Sequence, residues 1–172
     1  VERILLAINQ KEKIMVYGDY DVDGISSVAL MTSFLKEIGA HVSTYIPDRS
    51  EGYGLSVTAI DQAHEKNQTL IITLDCGINA IQQSKFASKK GIDLIICDHH
   101  LPGNVLPKAC AILNPKRKDC NYPFKELCGC GVGFKLIQAI NEKNGKGIEN
   151  ILHFLDLVAI ACAADIVSLN GE

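Results

Sequence analysis

No apolar run in the 172 residues approaches the ~20 needed to span a bilayer. The first stretch, VERILLAINQKEK, also lacks the basic start, apolar segment and small-residue cleavage site of a signal peptide. These two absences predict a cytoplasmic protein with no membrane partner. A disulfide framework is missing as well. The seven cysteines (Cys76, Cys97, Cys110, Cys120, Cys128, Cys130 and Cys162) are odd in number and follow no framework spacing, and several sit inside apolar runs. Buried free thiols of this kind behave as small hydrophobes and suit a reducing compartment. There is no excess of positive charge: 17 Lys and Arg against 20 Asp and Glu give a net charge of −3. On charge alone this speaks against a nucleic-acid binder, unless part of the negative charge is offset by bound cations. Finally, no internal repeat or low-complexity segment is present. The run Gly129-Cys130-Gly131-Val132-Gly133 lacks the spacing of a dinucleotide-binding loop.

What is present is an alternation of strand and helix signals. Strands are predicted at 13–18, 41–46, 69–74 and 92–97, with a fifth at 109–113. Helices are predicted at 24–38, 55–65, 79–90, 132–142 and 148–161. Residues 24–38 carry apolar side chains at the 3.6-residue period (Ile25, Val28, Ala29, Phe34, Leu35, Ile38). Strands separated by helices of 10–15 residues imply an α/β domain: a mostly parallel sheet of about five strands with helices on both faces. The segments ITLD and LIICD are apolar up to their final acid, as a sheet buried on both sides requires.

Ligands of such a sheet bind beyond the carboxyl ends of its strands, and acids collect at three of those ends. Strand one runs into Gly18-Asp19-Tyr20-Asp21-Val22-Asp23, strand three into Asp75, and strand four into Asp98-His99-His100. Unneutralised carboxylates would repel one another in a partly buried cleft, and divalent cations are the simplest remedy. Carboxylates with imidazole favour Mn²⁺ or Mg²⁺ over a thiolate-preferring metal. So many acids suit two ions about 3.5–4 Å apart, bridged by one shared aspartate, as in phosphoryl-transfer sites. The competing structural role is helix capping, open to Asp23 for the helix near Ile25 and to Asn79 or Asp75 for the next one.

In its order of motifs the chain resembles the DHH phosphoesterase superfamily, and within it the RecJ-type single-strand-specific exonucleases. The matching stretches are VYGDYDVDGISS, IPDRSEGYGLS, TLDCGI, CDHHLPG, LNPKR, YPFKELCGCGVGFKL and LDLVAIACAADIVSLNGE. The resemblance implies that Asp21 and Asp23 bind metal, that Asp75 bridges the ions, and that His99 and Asp165 complete the ligand set. It implies that His100 faces the scissile phosphate and that Asp98 is the triplet's acid, counted with His100 in the catalytic group and orienting a histidine. Many relatives have a histidine where this chain has Tyr17, and Asp19 is the residue expected to take over as ligand. Arg49 and Gly131 are the expected substrate contacts, Gly131 by letting the backbone approach the cleft; Tyr53 and Phe124 offer stacking faces for bases.

The activity so implied is metal-dependent 5′-to-3′ hydrolysis of single-stranded DNA in repair and recombination, with DNA and other repair proteins as partners. Two alternatives remain open: a DHH enzyme acting on small substrates such as short oligonucleotides, cyclic dinucleotides or pyrophosphate, and a catalytically silent scaffold domain. Residues 1–172 are expected to be one DHH catalytic domain, a fragment without the DHH-associated domain of longer relatives, and therefore to bind metal but to cleave weakly or not at all in isolation.

Overall fold

The computed structural model describes all 172 residues. Five parallel strands form one sheet in the order β2-β1-β3-β4-β5. They are β1 (Lys13–Gly18), β2 (His41–Tyr45), β3 (Gln68–Leu74), β4 (Asp93–Cys97) and β5 (Ala111–Leu113). The helices are α1 (Glu2–Asn9), α2 (Val22–Glu37), α3 (Val57–Glu65), α4 (Ile81–Lys89), α5 (Gly129–Lys143) and α6 (Leu155–Ala164). No helix is long and apolar enough to cross a membrane.

Side chains alternate across the sheet, and each strand therefore feeds two cores. Ile14 and Val16 of β1, with Leu70, Ile72 and Leu74 of β3, pack with α1, α2, α5 and α6. Met15 and Tyr17 of β1, with Ile71 of β3, pack with α3 and on the α4 side. This two-sided burial explains why the strands read as continuous apolar runs.

Chain winding reverses between β1 and β3: α2 leads outward to β2, and α3 then returns to the other side of β1. That reversal opens a crevice at the carboxyl ends of the two central strands. The expected α/β architecture is observed, with three differences. The short helix α1 was not predicted, although Ile4 and Ala7 bury its inner face. Helix α5 begins at Gly129 instead of residue 132, because Cys128 is the N-cap and the glycines form the first turn. The segment 148–161 is not one helix. Two 3₁₀ turns, Ile148–Asn150 and Leu152–Phe154, precede α6, and buried Ile151 (φ −122°) and Phe154 dock this stretch on the core.

Candidate metal centre

The three acid-bearing strand ends lie side by side because β1, β3 and β4 are consecutive in the sheet. Asp21 caps α2, its Oδ1 accepting the Gly24 N–H at 2.9 Å, and the turn holds Asp19 and Asp23 on either side. Asp75 follows β3 with φ +59°, a left-handed conformation that aspartate tolerates better than most residues. His99 and His100 follow β4, and Asp165 arrives from the C-terminal end of α6.

Donor atoms of these residues fall into three groups, each within 4.8 Å: Asp19, Asp21 and Asp75; Asp75, His99 and His100; and Asp23, His99 and Asp165. Asp75 belongs to two groups and so does His99, so the groups form one connected site. His99 Nε2 lies 3.1 Å from Asp75 Oδ1, 3.6 Å from Asp165 Oδ2 and 3.7 Å from Asp23 Oδ2.

Several of these atoms are buried without a hydrogen-bond partner: Asp19 Oδ1, Asp75 Oδ1 and both ring nitrogens of His99. Buried polar atoms normally have partners. Orphaned oxygen and imidazole nitrogen atoms gathered in linked donor groups are what divalent cations accept. Electrostatics agree. Burial, followed by the charges of Asp23 and Asp21, pushes the Asp75 carboxyl up to about 10. Burial also raises Asp19, with the Tyr20 N–H opposing it, and raises Asp23 against the N–H groups of Cys130 and Gly129. Without positive charge among them, these acids cannot all ionise.

Helix α5 supplies part of that positive character. Its first turn aims Gly129 N–H at Asp23 Oδ2 (2.6 Å) and Cys130 N–H at Asp23 Oδ1 (2.7 Å). The helix reaches so far because residue 129 has no side chain: a Cβ there would lie 2.6 Å from Asp75 Cβ.

Asp98 lies against His100, the histidine that it is expected to orient. It is buried, and four N–H groups occupy its oxygens: Ile78 N on Oδ2, and His99 N, His100 N and His100 Nδ1 on Oδ1. Burial works to raise this carboxyl, but the His100 side chain and the Ile78 and His100 amides outweigh it and hold it below the usual range. An acid so enclosed positions His100 and cannot meet a substrate. His100 itself is half-buried at the cleft, its pKa raised first by the hydrogen bond to Asp98.

Gly131 lies just beyond Gly129 in α5. It is buried in the first turn of α5, and its N–H goes to Cys128 Sγ at 3.3 Å. The glycine that meets the cleft is Gly129. Arg49 is exposed on a 3₁₀ turn (Arg49–Glu51), its guanidinium 5.3 Å over the ring of Tyr20. The contact is a cation–π stack on a residue of the loop that carries Asp19 and Asp21. In the basic run 116–118, Arg117 is spent on Asp119 and the Ile112 carbonyl.

Capping is settled in detail: Asp21 caps α2, whereas Asn79 braces the next loop through Leu101 O and Gly103 N. Tyr17 faces away from the acids into the α3 layer. It stacks on Tyr45 at 5.4 Å, and its hydroxyl donates to Gly54 O at 2.7 Å. Two participants were not singled out from sequence in these roles. One is the pair of α5 amides; the dense glycines were the available signal. The other is Tyr53, whose hydroxyl sits on His100 at 3.0 and 3.2 Å from the ring nitrogens.

A parallel sheet carrying this carboxylate–histidine cluster at its switch point defines a class, and a family model agrees with it. Residues 13–162 match the DHH family, N-terminal domain, and the chain belongs to the DHH family. Among curated relatives it is similar to the single-stranded-DNA-specific exonuclease RecJ of Bacillus subtilis (strain 168), 48% identical over 172 residues, covering 99% of this chain and 21% of the relative. The enzyme of the same name from Escherichia coli (strain K12) is 40% identical, with 100% of this chain and 32% of the relative covered. The chain thus spans about a fifth to a third of the length of these relatives. Among solved structures, exonuclease RecJ bound to manganese superposes with a TM-score of 0.89 at 32% identity, covering 99% of this chain and 43% of that one. RecJ from Thermus thermophilus in complex with Mn²⁺ gives 0.82 at 29% identity, covering 98% and 24%.

Proposed function

We propose that residues 1–172 form the metal-binding catalytic domain of a RecJ-type exonuclease, hydrolysing phosphodiester bonds of single-stranded DNA from the 5′ end. The observation that carries this reading is Asp75: one buried carboxylate that belongs to two ligand groups and has an oxygen without a hydrogen-bond partner. The printed names of the relatives support the substrate class.

Asp19, Asp21 and Asp75 would hold one Mn²⁺ or Mg²⁺; Asp23, His99 and Asp165, with Asp75, would hold a second. Such ions lower the pKa of water and offset charge on the phosphate. The chain's own residues do the rest. The amides of Gly129 and Cys130 fix Asp23 so that it does not turn away from the site. Asp98 holds the His100 imidazole at 2.8 Å, aiming positive character at the oxygens of a bound phosphodiester. Arg49, exposed and stacked on Tyr20, would take a neighbouring phosphate of the strand.

The direct test compares 5′-labelled single strands, duplexes and dinucleotides with Mn²⁺, using Asp75→Ala as the control. Single strands are expected to be shortened by the native chain and untouched by D75A. Cleavage of dinucleotides alone would assign the domain to small substrates. Cleavage that needs no Mn²⁺, or that persists in D75A, would reject the metal-hydrolase reading.

A further inference from the structure

Between β2 and α3 the chain runs along the edge of the metal centre, and two of its hydrogen-bonded anchors lead back to tyrosines of the sheet. Tyr45 O–H donates to Glu51 Oε2 at 2.7 Å, and Glu51 Oε1 in turn accepts Asp48 N–H at 2.8 Å. Tyr17, fully buried on the sheet face turned away from the acids, donates to Gly54 O at 2.7 Å. Between these fixed points stands Tyr53, flanked by Gly52 (φ +87°) and Gly54 (φ +85°). Two left-handed glycines leave the backbone at Tyr53 with little intrinsic preference, so the bond at the Gly54 carbonyl decides where the ring goes. The ring goes over the site: the hydroxyl lies 3.0 and 3.2 Å from the His100 ring nitrogens and 3.4 Å from the Asp75 carbonyl oxygen. The two rings meet edge to face, with centroids 5.6 Å apart.

His100 is therefore held from two sides. Asp98 grips Nδ1 from inside the protein, and the Tyr53 hydroxyl closes over the imidazole from the solvent side. We propose that Tyr53 is a positioning residue for His100, and that Tyr17 sets it there from beneath the loop through the Gly54 carbonyl. The assignment rests on His100 as the phosphate-facing histidine of the proposed function. A phenylalanine would fill the space of Tyr17 and stack on Tyr45 equally well; what the hydroxyl adds is the hold on Gly54. Tyr53 is more than half exposed, too open to be explained as core packing.

The test uses the 172-residue chain with ¹³C-labelled histidine, loaded with Mg²⁺, the His100 ring signal being assigned by its loss in His100→Gln. Tyr53→Phe is expected to shift that signal. Tyr17→Phe should shift it in the same direction, and the double variant should add nothing to the larger single shift, because residues acting through one contact are not additive. Tyr45→Phe, which frees Glu51 but not Gly54, should leave the signal in place, and Mg²⁺ affinity should be unchanged throughout. In a cleavage assay Y17F and Y53F should each lose about five-fold in kcat/KM, the scale of one neutral hydrogen bond.

A His100 signal unmoved by Y53F overturns the role of Tyr53. A signal moved by Y53F but not by Y17F, or an additive double variant, overturns the link to Tyr17. Should Y17F not fold, Gly54→Ala, strained at φ +85°, perturbs the same carbonyl from the loop and is read in the same way. These spectra do not depend on cleavage, so absent nuclease activity strikes the proposed function and leaves this link intact.

Discussion

At Asp75 a carboxylate is buried beside two others and driven up to about 10, against about 3.9 for an unfolded aspartate. The sign of its effect on stability follows. Between those values the folded, metal-free chain keeps a proton that the unfolded chain has released, so stability falls as pH rises. Bound cations remove this cost by stabilising the ionised form. Urea unfolding in chelator at pH 6 and pH 8 should therefore show a loss of stability in the native chain that is smaller in Asp75→Asn; equal losses would contradict the assignment. Asp75 was legible in the sequence as an acid ending an apolar strand, and Asp19, Asp21, Asp23 and His99 by the same logic. Asp165 was not, since an acid after an apolar helix carries no such signal, and only the family resemblance marked it. The enclosure of Asp98 was also invisible, because four N–H groups reach it from a local turn and from Ile78, twenty residues away.

Elements were legible wherever one periodicity governed a whole segment. The strands, α2, α3 and α4 lie within a few residues of expectation, since each is fixed by burial on a regular face. Helix α1 has the same signal over only two buried positions, and the 148–161 segment conceals a break that Ile151 and Phe154 make by docking on the core. The functional part of α5 was the least legible. Its glycines were expected at the cleft, but which glycine touches what depends on where the helix starts. With the start at Gly129, the first two amides meet Asp23 and the bare Cα meets Asp75. Gly129→Ala, with its Cβ 2.6 Å from Asp75 Cβ, must push α5 or Asp75 aside. Titration calorimetry should then show Mn²⁺ affinity falling on the order of 10–100-fold, the usual cost of disturbing residues that orient ligands. An unchanged affinity with an intact circular dichroism spectrum would mean that the contact does not shape the site.

On the scale of the whole molecule, the order β2-β1-β3-β4-β5 converts a dispersed set of acids into a site. Reversal of winding at β1 and β3 leaves the crevice open where Asp19, Asp21, Asp23 and Asp75 emerge. β4 sets His99 and His100 alongside, and α6, packed on α2 and α5, delivers Asp165 across the top. The donor groups differ in character: that of Asp19, Asp21 and Asp75 is all carboxylate and open at Asp21, whereas that of Asp23, His99 and Asp165 contains imidazole and is gripped at Asp23 by the α5 amides. The most direct measurement is anomalous diffraction from crystals of the chain soaked in Mn²⁺. Two peaks are expected, one among Asp19, Asp21 and Asp75 and one among Asp23, His99 and Asp165, with Asp75 coordinating both. A single peak, or two peaks with Asp75 bound to only one, would contradict the shared centre on which the proposed chemistry depends.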